Sequence, residues 1–205
     1  MSRALFVGGA CVLTLVLGWA TVVSTRAPDR EPVALLAAQP RLITQAGAAF
    51  SMEALRGKTV LLNFVFTHCP SVCPTQTRAL QRVRSRLSPS LRERVHFVSV
   101  TIDPERDTPE VLRAFAAKLQ LNLAGWTFVT GPEAEIEALS TAYAARALPP
   151  GAQPLDHRSE VRLISARGDL MQTYAGSPLD EARLVRELAA ADELFAARSK
   201  RASSP

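Results

Sequence analysis

Apolar and polar positions alternate along most of the chain with the periods of strands and helices. Two nearly continuous apolar runs rich in β-branched residues, at 59–66 and 95–102, predict strands that are buried on both faces. Between them, residues 74–87 repeat leucine and valine every three or four positions, which predicts an amphipathic helix. A strand, a helix and a strand within about 45 residues form a right-handed crossover unit, so the pattern predicts a parallel sheet.

The rest of the pattern predicts further elements on both sides of this unit. Residues 40–58 predict a hairpin that leads to a turn at Gly57. After the crossover unit the pattern predicts a helix at 108–119, a short strand at 126–129 and a second helix at 132–145. A hairpin of strands at 160–164 and 170–174 and a closing helix at 179–197 follow. Parallel crossovers followed by an antiparallel hairpin and a helix predict an α/β domain of the thioredoxin-like class.

Residues 4–23 form an uncharged apolar run preceded by Arg3. Its length matches the roughly 20 residues that a helix needs to cross a bilayer and exceeds the roughly 7–15 residues of a cleavable signal core. We therefore expect an uncleaved transmembrane anchor at 4–23. The predicted organisation is a short tail at 1–3, this anchor, a linker at 24–39, one globular domain at 40–198 and a flexible tail at 199–205.

Composition narrows the chemistry. The chain has 205 residues with 24 Lys and Arg against 19 Asp and Glu, a net charge of +5. No basic run or basic-aromatic stripe accompanies this excess, which argues against a nucleic-acid partner. Three cysteines are too few for a disulfide scaffold, and Cys11 lies inside the apolar run, where it suits a membrane helix. The candidate chemistry therefore rests on the other two cysteines.

Cys69 and Cys73 follow the first predicted core strand in the sequence THCPSVCP. The carboxyl ends of parallel strands are where α/β sheets bind ligands, and Cys73 lies at a helix entrance, where the backbone dipole favours a thiolate. We therefore expect both sulfurs to be ionisable and accessible. The spacing is CxxxC, which suits a metal ion between two sulfurs, while a disulfide across the loop also remains possible.

The three histidines are the obvious further ligands. His157 is the strongest candidate, because its long Pro-rich loop precedes the last hairpin and should face the cysteines; Asp156 beside it could orient the imidazole. His68 is weaker, since neighbouring side chains that leave a strand diverge. His96 lies in the second core strand, where a structural role is expected.

Together these motifs resemble the Sco/SenC family of copper-binding proteins that assemble cytochrome oxidase. The similarity rests on FVFTHCPSVCPT at 64–75, VSVTIDPERDTPEVLRAF at 98–115, the dipeptide DH at 156–157 and the GK before the first core strand, and it covers most of residues 40–176. It implies a thioredoxin-like domain in which Cys69, Cys73 and His157 bind copper. The chain departs from the family pattern at Arg158, where a small hydroxyl residue is usual.

The resemblance also implies a place and a function. The domain is expected in the bacterial periplasm, held by a single-pass anchor in the cytoplasmic membrane. It would deliver copper to the dinuclear copper centre of a terminal cytochrome oxidase, with the copper-centre subunit as partner and another copper chaperone or a thioredoxin-like reductant as further partners. The alternative is a thiol-disulfide oxidoreductase that keeps that subunit's copper-ligand cysteines reduced. His157 favours a metallochaperone over an enzyme, because a dithiol reductase has no use for a distant imidazole.

The donor set agrees with copper. Soft thiolates suit Cu(I), and an added imidazole also allows Cu(II). Zinc is disfavoured, because a structural zinc site needs four ligands and only Asp156 or His68 is available as the fourth. The resemblance places Asp103 and Asp107 in a loop near the site. Turn and helix-cap chemistry explains most of that loop, and the alternative is that one of the two carboxylates tunes the site or contacts a partner.

The uncharged run at 4–23 generates a first prediction. The full-length chain should sediment with membranes and stay there in high salt, whereas residues 40–205 expressed alone should be soluble, since the run is long enough to span hydrocarbon. Fractionation with immunoblotting measures both. Mature protein that begins near residue 25 in the soluble fraction would instead show a cleaved signal.

Overall fold

The structure is a computed structural model that describes residues 41–144, 160–174 and 178–202. Its strands are β1 Ile43–Thr44, β2 Thr59–Val65, β3 Val95–Thr101, β4 Trp126–Thr130, β5 Val161–Ile164 and β6 Leu170–Tyr174. Its α-helices are α1 Val72–Arg86, α2 Pro89–Arg94, α3 Pro109–Lys118, α4 Glu133–Ala144 and α5 Glu181–Ala202. None of the helices in these ranges is long and apolar enough to span a membrane. The predicted anchor and linker lie outside the described residues.

All six strands form one sheet in the order β1-β4-β3-β2-β5-β6. The pairs β2 with β3 and β3 with β4 are parallel, as the crossover pattern predicted, whereas β5, β6 and β1 join antiparallel. In the central pair, Thr59 lies beside Val95 and Val65 beside Thr101. The two central strands therefore end side by side, and the loops that follow them start at the same edge of the sheet.

Helices cover both faces of the sheet. On one face Leu61 and Val65 of β2 pack in a core that includes residues of α1, α3 and α5. On the other face Val60 and Leu62 pack in a second core with Leu139 of α4. Alternate residues of β2 face the two cores, so both faces of the strand are buried, which explains its nearly continuous apolar sequence. The α/β prediction is confirmed.

Four local details differ from the sequence prediction. Helix α5 runs to Ala202, so it extends five residues beyond the end predicted at residue 197 and covers the first four residues of the tail expected at 199–205. Helix α1 begins at Val72 rather than at residue 74, because a proline in the first helical turn lacks only an N–H that would have no partner there. The short helix α2 was not predicted; Ser88 caps it by accepting a hydrogen bond from the Leu91 amide. The hairpin expected before Gly57 is reduced to one bridge between Ile43 and Ala49, and β1 pairs with β4 instead.

A chain of buried polar side chains crosses the core beneath α1. The indole N–H of Trp126 donates to the Ser99 hydroxyl at 3.0 Å, and that hydroxyl donates to Asn63 at 2.8 Å. The Asn63 amide in turn donates to Gln76 of α1 at 3.1 Å. Gln76 lies three residues after Cys73, so this chain links β4, β3 and β2 to the helix that carries one of the candidate cysteines.

Removing the centre of this chain should destabilise the domain. Ser99→Ala leaves the Trp126 indole and the Asn63 carbonyl buried without partners, which should lower the free energy of unfolding by about 2–4 kcal/mol. Urea denaturation followed by circular dichroism measures it. Ser85→Ala is the matched control; its exposed hydroxyl bonds only the Arg82 carbonyl, so the change should stay within about 0.5 kcal/mol. Equal effects of the two substitutions would contradict the role assigned to the network.

Candidate metal and thiol site

The two motif cysteines lie in the connection between β2 and the first turn of α1. Cys69 belongs to the loop after β2, and Cys73 is the second residue of α1. Both residues are only 6% exposed and pack in the core on the α1 side of the sheet. The expectation that both sulfurs are accessible is therefore wrong for Cys73, whereas Cys69, although it has little exposed surface, lines a surface groove beside the loop. Both cysteines are free thiols.

The first turn of α1 is directed at the sulfur of Cys69. The Cys73 amide donates a hydrogen bond to Cys69 Sγ at 3.3 Å, and the backbone of Ser71 and Val72 adds further hydrogen bonds. Burial alone would raise the pKa of Cys69, but these backbone bonds and one from the Cys73 thiol outweigh it and lower that pKa below its usual value. Cys69 is therefore the more acidic thiol of the pair.

Cys73 is the protonated partner. Burial raises the pKa of Cys73 to about 12; a backbone hydrogen bond from Phe66 opposes this, and the neighbouring charges of Cys69 and Asp107 add to it. The sequence led us to expect both sulfurs to be ionisable, with the helix entrance favouring a thiolate at Cys73, and for Cys73 that expectation is wrong. The free amides of a first turn point back toward the preceding loop, so the positive end of α1 stabilises a charge on Cys69 instead.

The geometry therefore presents two sulfurs in hydrogen-bonding contact at the carboxyl end of a central strand. Such a pair can chelate a soft metal ion, and it can also exchange with a disulfide. The structure brings Cys69 and Cys73 together as predicted. His157 and Asp156 lie outside the described residues, so their roles remain predictions.

Asp107 joins the cysteine loop to the neighbouring strand. Its side chain is fully buried and accepts hydrogen bonds from the Thr67 hydroxyl at 2.6 Å, the Thr67 amide at 3.1 Å and the Thr101 hydroxyl at 2.6 Å. Sequence reasoning named Asp107 but missed both threonines. Their positions could have been noticed, because each threonine stands where one of the two paired central strands ends.

Asp103 has the turn role that its motif predicted. Its carbonyl accepts hydrogen bonds from the amides of Arg106 and Asp107, and its carboxylate pairs with the Arg106 guanidinium at 2.6 Å. Thr108 caps α3 by accepting from the Val111 amide, as expected. The loop is thus explained by turn and cap contacts, while the charge of Asp107 additionally reaches Cys73.

His68 turns toward these carboxylates. Its Nδ1 lies 3.2 Å from the Thr67 hydroxyl and 3.9 Å from Asp107, and its side chain is 57% exposed. Ligand atoms of His68, Asp103 and Asp107 lie within 4.8 Å of one another. Both oxygens of Asp107 already accept hydrogen bonds from the two threonines, so the loop structure accounts for this cluster without an ion.

His96 has the structural role expected for it. Its Nε2 lies 2.8 Å from the hydroxyl of Thr127 on the neighbouring strand. Burial, together with the positive charges of Lys58 and Arg84, lowers the pKa of His96 to about 4. The imidazole is therefore neutral at physiological pH and serves the pairing of β3 with β4.

This architecture defines a class: a thioredoxin-like α/β protein with a dithiol at the carboxyl end of its central strand. The sequence profile of SCO1/SenC proteins matches residues 29–192. The chain therefore belongs to the SCO1/SenC family, which confirms the resemblance carried by its motifs.

Individual relatives agree with this assignment. The SCO1 protein homolog of Bacillus subtilis is 33% identical over 143 residues, which cover 67% of this chain and 74% of that protein. A candidate copper-binding protein of Stutzerimonas stutzeri is 32% identical over 136 residues, which cover 64% of this chain and 65% of that protein.

Solved structures share the fold. BsSco, a member of the Sco family of cytochrome c oxidase assembly proteins with an identified disulfide switch, is 28% identical with a TM-score of 0.64, covering 74% of this chain and 90% of BsSco. ScoI of Bradyrhizobium japonicum, solved with copper bound, is 24% identical with a TM-score of 0.58, covering 74% of this chain and 96% of ScoI. The similarity to ScoI, at 24% identity, is evidence for the fold alone. Together they confirm the thioredoxin-like Sco fold.

The unequal acidities of the two thiols generate a prediction. In the reduced, metal-free protein, iodoacetamide should alkylate Cys69 at least about tenfold faster than Cys73 at pH 8, because a low pKa gives more thiolate even after allowing for its lower nucleophilicity. Alkylation of Cys69 should rise with pH along a curve centred below pH 9, and that of Cys73 only toward pH 12.

Peptide mapping by mass spectrometry assigns each adduct. The urea-unfolded chain is the control, since both cysteines should then react alike. Faster alkylation of Cys73 than of Cys69 in the folded protein would overturn the assignment of the thiolate.

Proposed function

We propose that this protein binds copper and delivers it to the dinuclear copper centre of a terminal cytochrome oxidase. The observation that carries the proposal is the contact between the thiols of Cys69 and Cys73, which converge from a loop and a helix. Membership of the SCO1/SenC family supports it, as does a relative described as a candidate copper-binding protein.

The donors suit copper as a cargo. Two cysteine sulfurs are soft ligands that favour Cu(I), and we assign the third position to the imidazole of His157, which would also allow Cu(II). A site of three ligands leaves room for an incoming donor, so the ion can pass to a partner by exchanging one ligand at a time. Four-ligand structural zinc sites lack this opening.

Cys69 and Cys73 would contribute differently to loading. The Cys69 sulfur already carries the backbone hydrogen bonds that stabilise a negative charge, so it is ready to bind the ion. The Cys73 thiol must first lose its proton, which the pKa of about 12 opposes and the bound cation favours. Copper loading should therefore release a proton from Cys73. When Cys73 takes up a proton again it no longer binds the ion, which favours transfer of copper to the partner.

The alternative function is reduction of the copper-ligand cysteines of the oxidase subunit. Two observations favour it: the thiols lie in contact, and their acidities differ in the sense that an exchange reaction needs. The Cys69 thiolate would attack the partner's disulfide, and Cys73 would then displace the partner's second sulfur. The partner leaves with two thiols, and this protein keeps a disulfide. The disulfide switch of BsSco supports this chemistry for the family.

The setting of the reaction belongs to the same proposal. An anchor at 4–23 and a linker at 24–39 would hold the domain at the periplasmic face of the cytoplasmic membrane, where the copper-centre subunit of an oxidase is exposed. A second copper chaperone would supply the ion, and a thioredoxin-like reductant would regenerate the thiols.

Replacing His157 separates the two functions. The reduced wild-type chain should bind one copper ion, and His157→Ala should lower its copper affinity by at least about tenfold, because one of three ligands is lost. Copper analysis and competition with a chelator measure this effect. The cysteines remain, so their exchange with a disulfide should persist. In cells the oxidase should then lack copper although the variant accumulates.

His68→Ala is the matched control, since it removes the histidine next to Cys69 instead. It should leave copper binding unchanged, and a loss of copper in this variant would make His68 the third ligand. Normal oxidase assembly with copper-free His157→Ala protein would favour the reductase.

A further inference from the structure

A groove runs between α1 and α3 and includes Cys69 in its lining. Its volume is about 570 Å³, and it is lined by the cysteine loop, by one face of α1 and by one face of α3. Cys69 belongs to this lining, whereas Cys73 does not. A molecule seated in the groove would therefore meet Cys69 first.

The floor of the groove is apolar. Phe115 and Leu119 line it from α3 and the residue that follows, and Pro70 and Pro74 line it from the cysteine side. Val111 to Leu119 spans about 12 Å at the rise of an α-helix, which is the length of three or four extended residues. The groove thus has the size and character for a short extended peptide segment.

The charges along the groove have one sign. Arg78 of α1 and Lys118 of α3 line it, both are exposed, and neither makes an ion pair with any described residue. Their neighbours differ in this respect: on α1 Arg82 pairs with Glu181 at 2.7 Å, and on α3 Arg113 lies 3.8 Å from Glu110. Among the described residues, no carboxylate lines the groove.

We infer that this groove docks a short, extended and acidic segment of the partner protein and so brings the partner's sulfur to Cys69. Apolar side chains of the segment would cover Phe115 and Leu119, and its carboxylates would pair with Arg78 and Lys118. The inference rests on the proposed function in one respect, namely that the cysteines serve a partner protein. It adds the chemistry by which that partner is recognised, which holds for copper delivery and thiol exchange alike.

Peptides that carry an activated sulfur test this directly. The probes are three capped pentapeptides of sequence Asp-Leu-Cys-Leu-Asp, Lys-Leu-Cys-Leu-Lys and Ser-Leu-Cys-Leu-Ser, each with its cysteine joined to 2-thiopyridine by a disulfide. The Cys69 thiolate attacks the peptide sulfur, the disulfide to the thiopyridine breaks, and pyridine-2-thione leaves after taking up a proton. The first product is a mixed disulfide between Cys69 and the peptide; Cys73 can then displace the peptide as a free thiol and leave the Cys69–Cys73 disulfide, so the initial rise in thione absorbance gives the rate of the first step.

The full-length chain is used in a neutral detergent, reduced and metal-free, with Cys11→Ala in every sample so that only the motif cysteines react. Each rate is divided by the rate of the same peptide with 2-mercaptoethanol. At low ionic strength the acidic peptide should react at least about tenfold faster than the basic one, and this ratio should fall toward one in about 1 M salt, where the Debye length is about 3 Å.

Lys118→Glu should reduce the ratio at least about fivefold, and Arg78→Glu should act in the same direction. Lys58→Glu is the matched control. It makes the same change of charge at an exposed lysine without an ion pair in the described chain, but just before β2, so a seven-residue strand of about 23 Å separates it from the cysteine loop. Lys58→Glu should alter the ratio less than about twofold. This control distinguishes an effect of the charges in the groove from an effect of the net charge of the molecule.

An unchanged ratio in both Lys118→Glu and Arg78→Glu overturns the inference, as does an equal loss in Lys58→Glu. A different occupant would appear in the same data. If a second copy of the chain occupied the groove, the second-order rate constants would depend on protein concentration. If the chain's own residues 145–159 occupied it, all three peptides would react equally slowly. Copper content is measured on the same variants. A variant that loses the preference for the acidic peptide but still binds copper has lost docking alone. A wild-type chain that prefers the acidic peptide but binds no copper refutes the copper proposal and leaves the docking inference standing.

Discussion

The geometry of the cysteine corner depends on one buried carboxylate. Asp107 accepts hydrogen bonds from the amide and hydroxyl of Thr67 and from the hydroxyl of Thr101, so a single side chain joins the segments that leave β2 and β3. A charge with no exposed surface is tolerable only when such donors satisfy it, and hydrogen bonds to an ionised group are the stronger kind. Because Val65 pairs with Thr101, this contact is possible only in the observed register. The position of Cys69 two residues after Thr67 thus follows from the pairing of the central strands.

The helix that follows completes the corner from the other side. Gln76 holds α1 to β2 through Asn63, and the first turn of α1 directs the Cys73 amide at the Cys69 sulfur. Each contact needs the other elements in place, since the helix can stabilise a thiolate only if the loop carries Cys69 in front of its first turn. The difference between the two thiols is therefore a property of the assembled fold and does not belong to the CxxxC spacing alone.

This explains which features were predictable from the sequence. The strands β2 and β3 and the helix α3 were, because apolar periodicity and the Thr108 cap are local signals that burial reinforces. Membership of the family followed from the joint presence of two motifs. The acidities of Cys69 and Cys73 were not predictable, since they depend on where α1 begins to within two residues and on the direction of its free amides. The groove was also hidden, because Arg78 and Lys118 lie far apart in sequence and only the packing of α1 beside α3 makes them neighbours.

Copper binding and thiol exchange both depend on the difference in acidity between Cys69 and Cys73, which is why one site can support either function. A bound soft cation and a disulfide both require Cys73 to lose its proton, and both use Cys69 as the sulfur next to the groove. They also exclude each other, because a disulfide has no thiolate left to bind copper. The redox state of the pair would therefore decide whether the protein can carry its cargo. A partner docked in the groove would meet the same Cys69 sulfur in both cases, and its own chemistry, a copper-free thiolate or a disulfide, would determine which reaction follows.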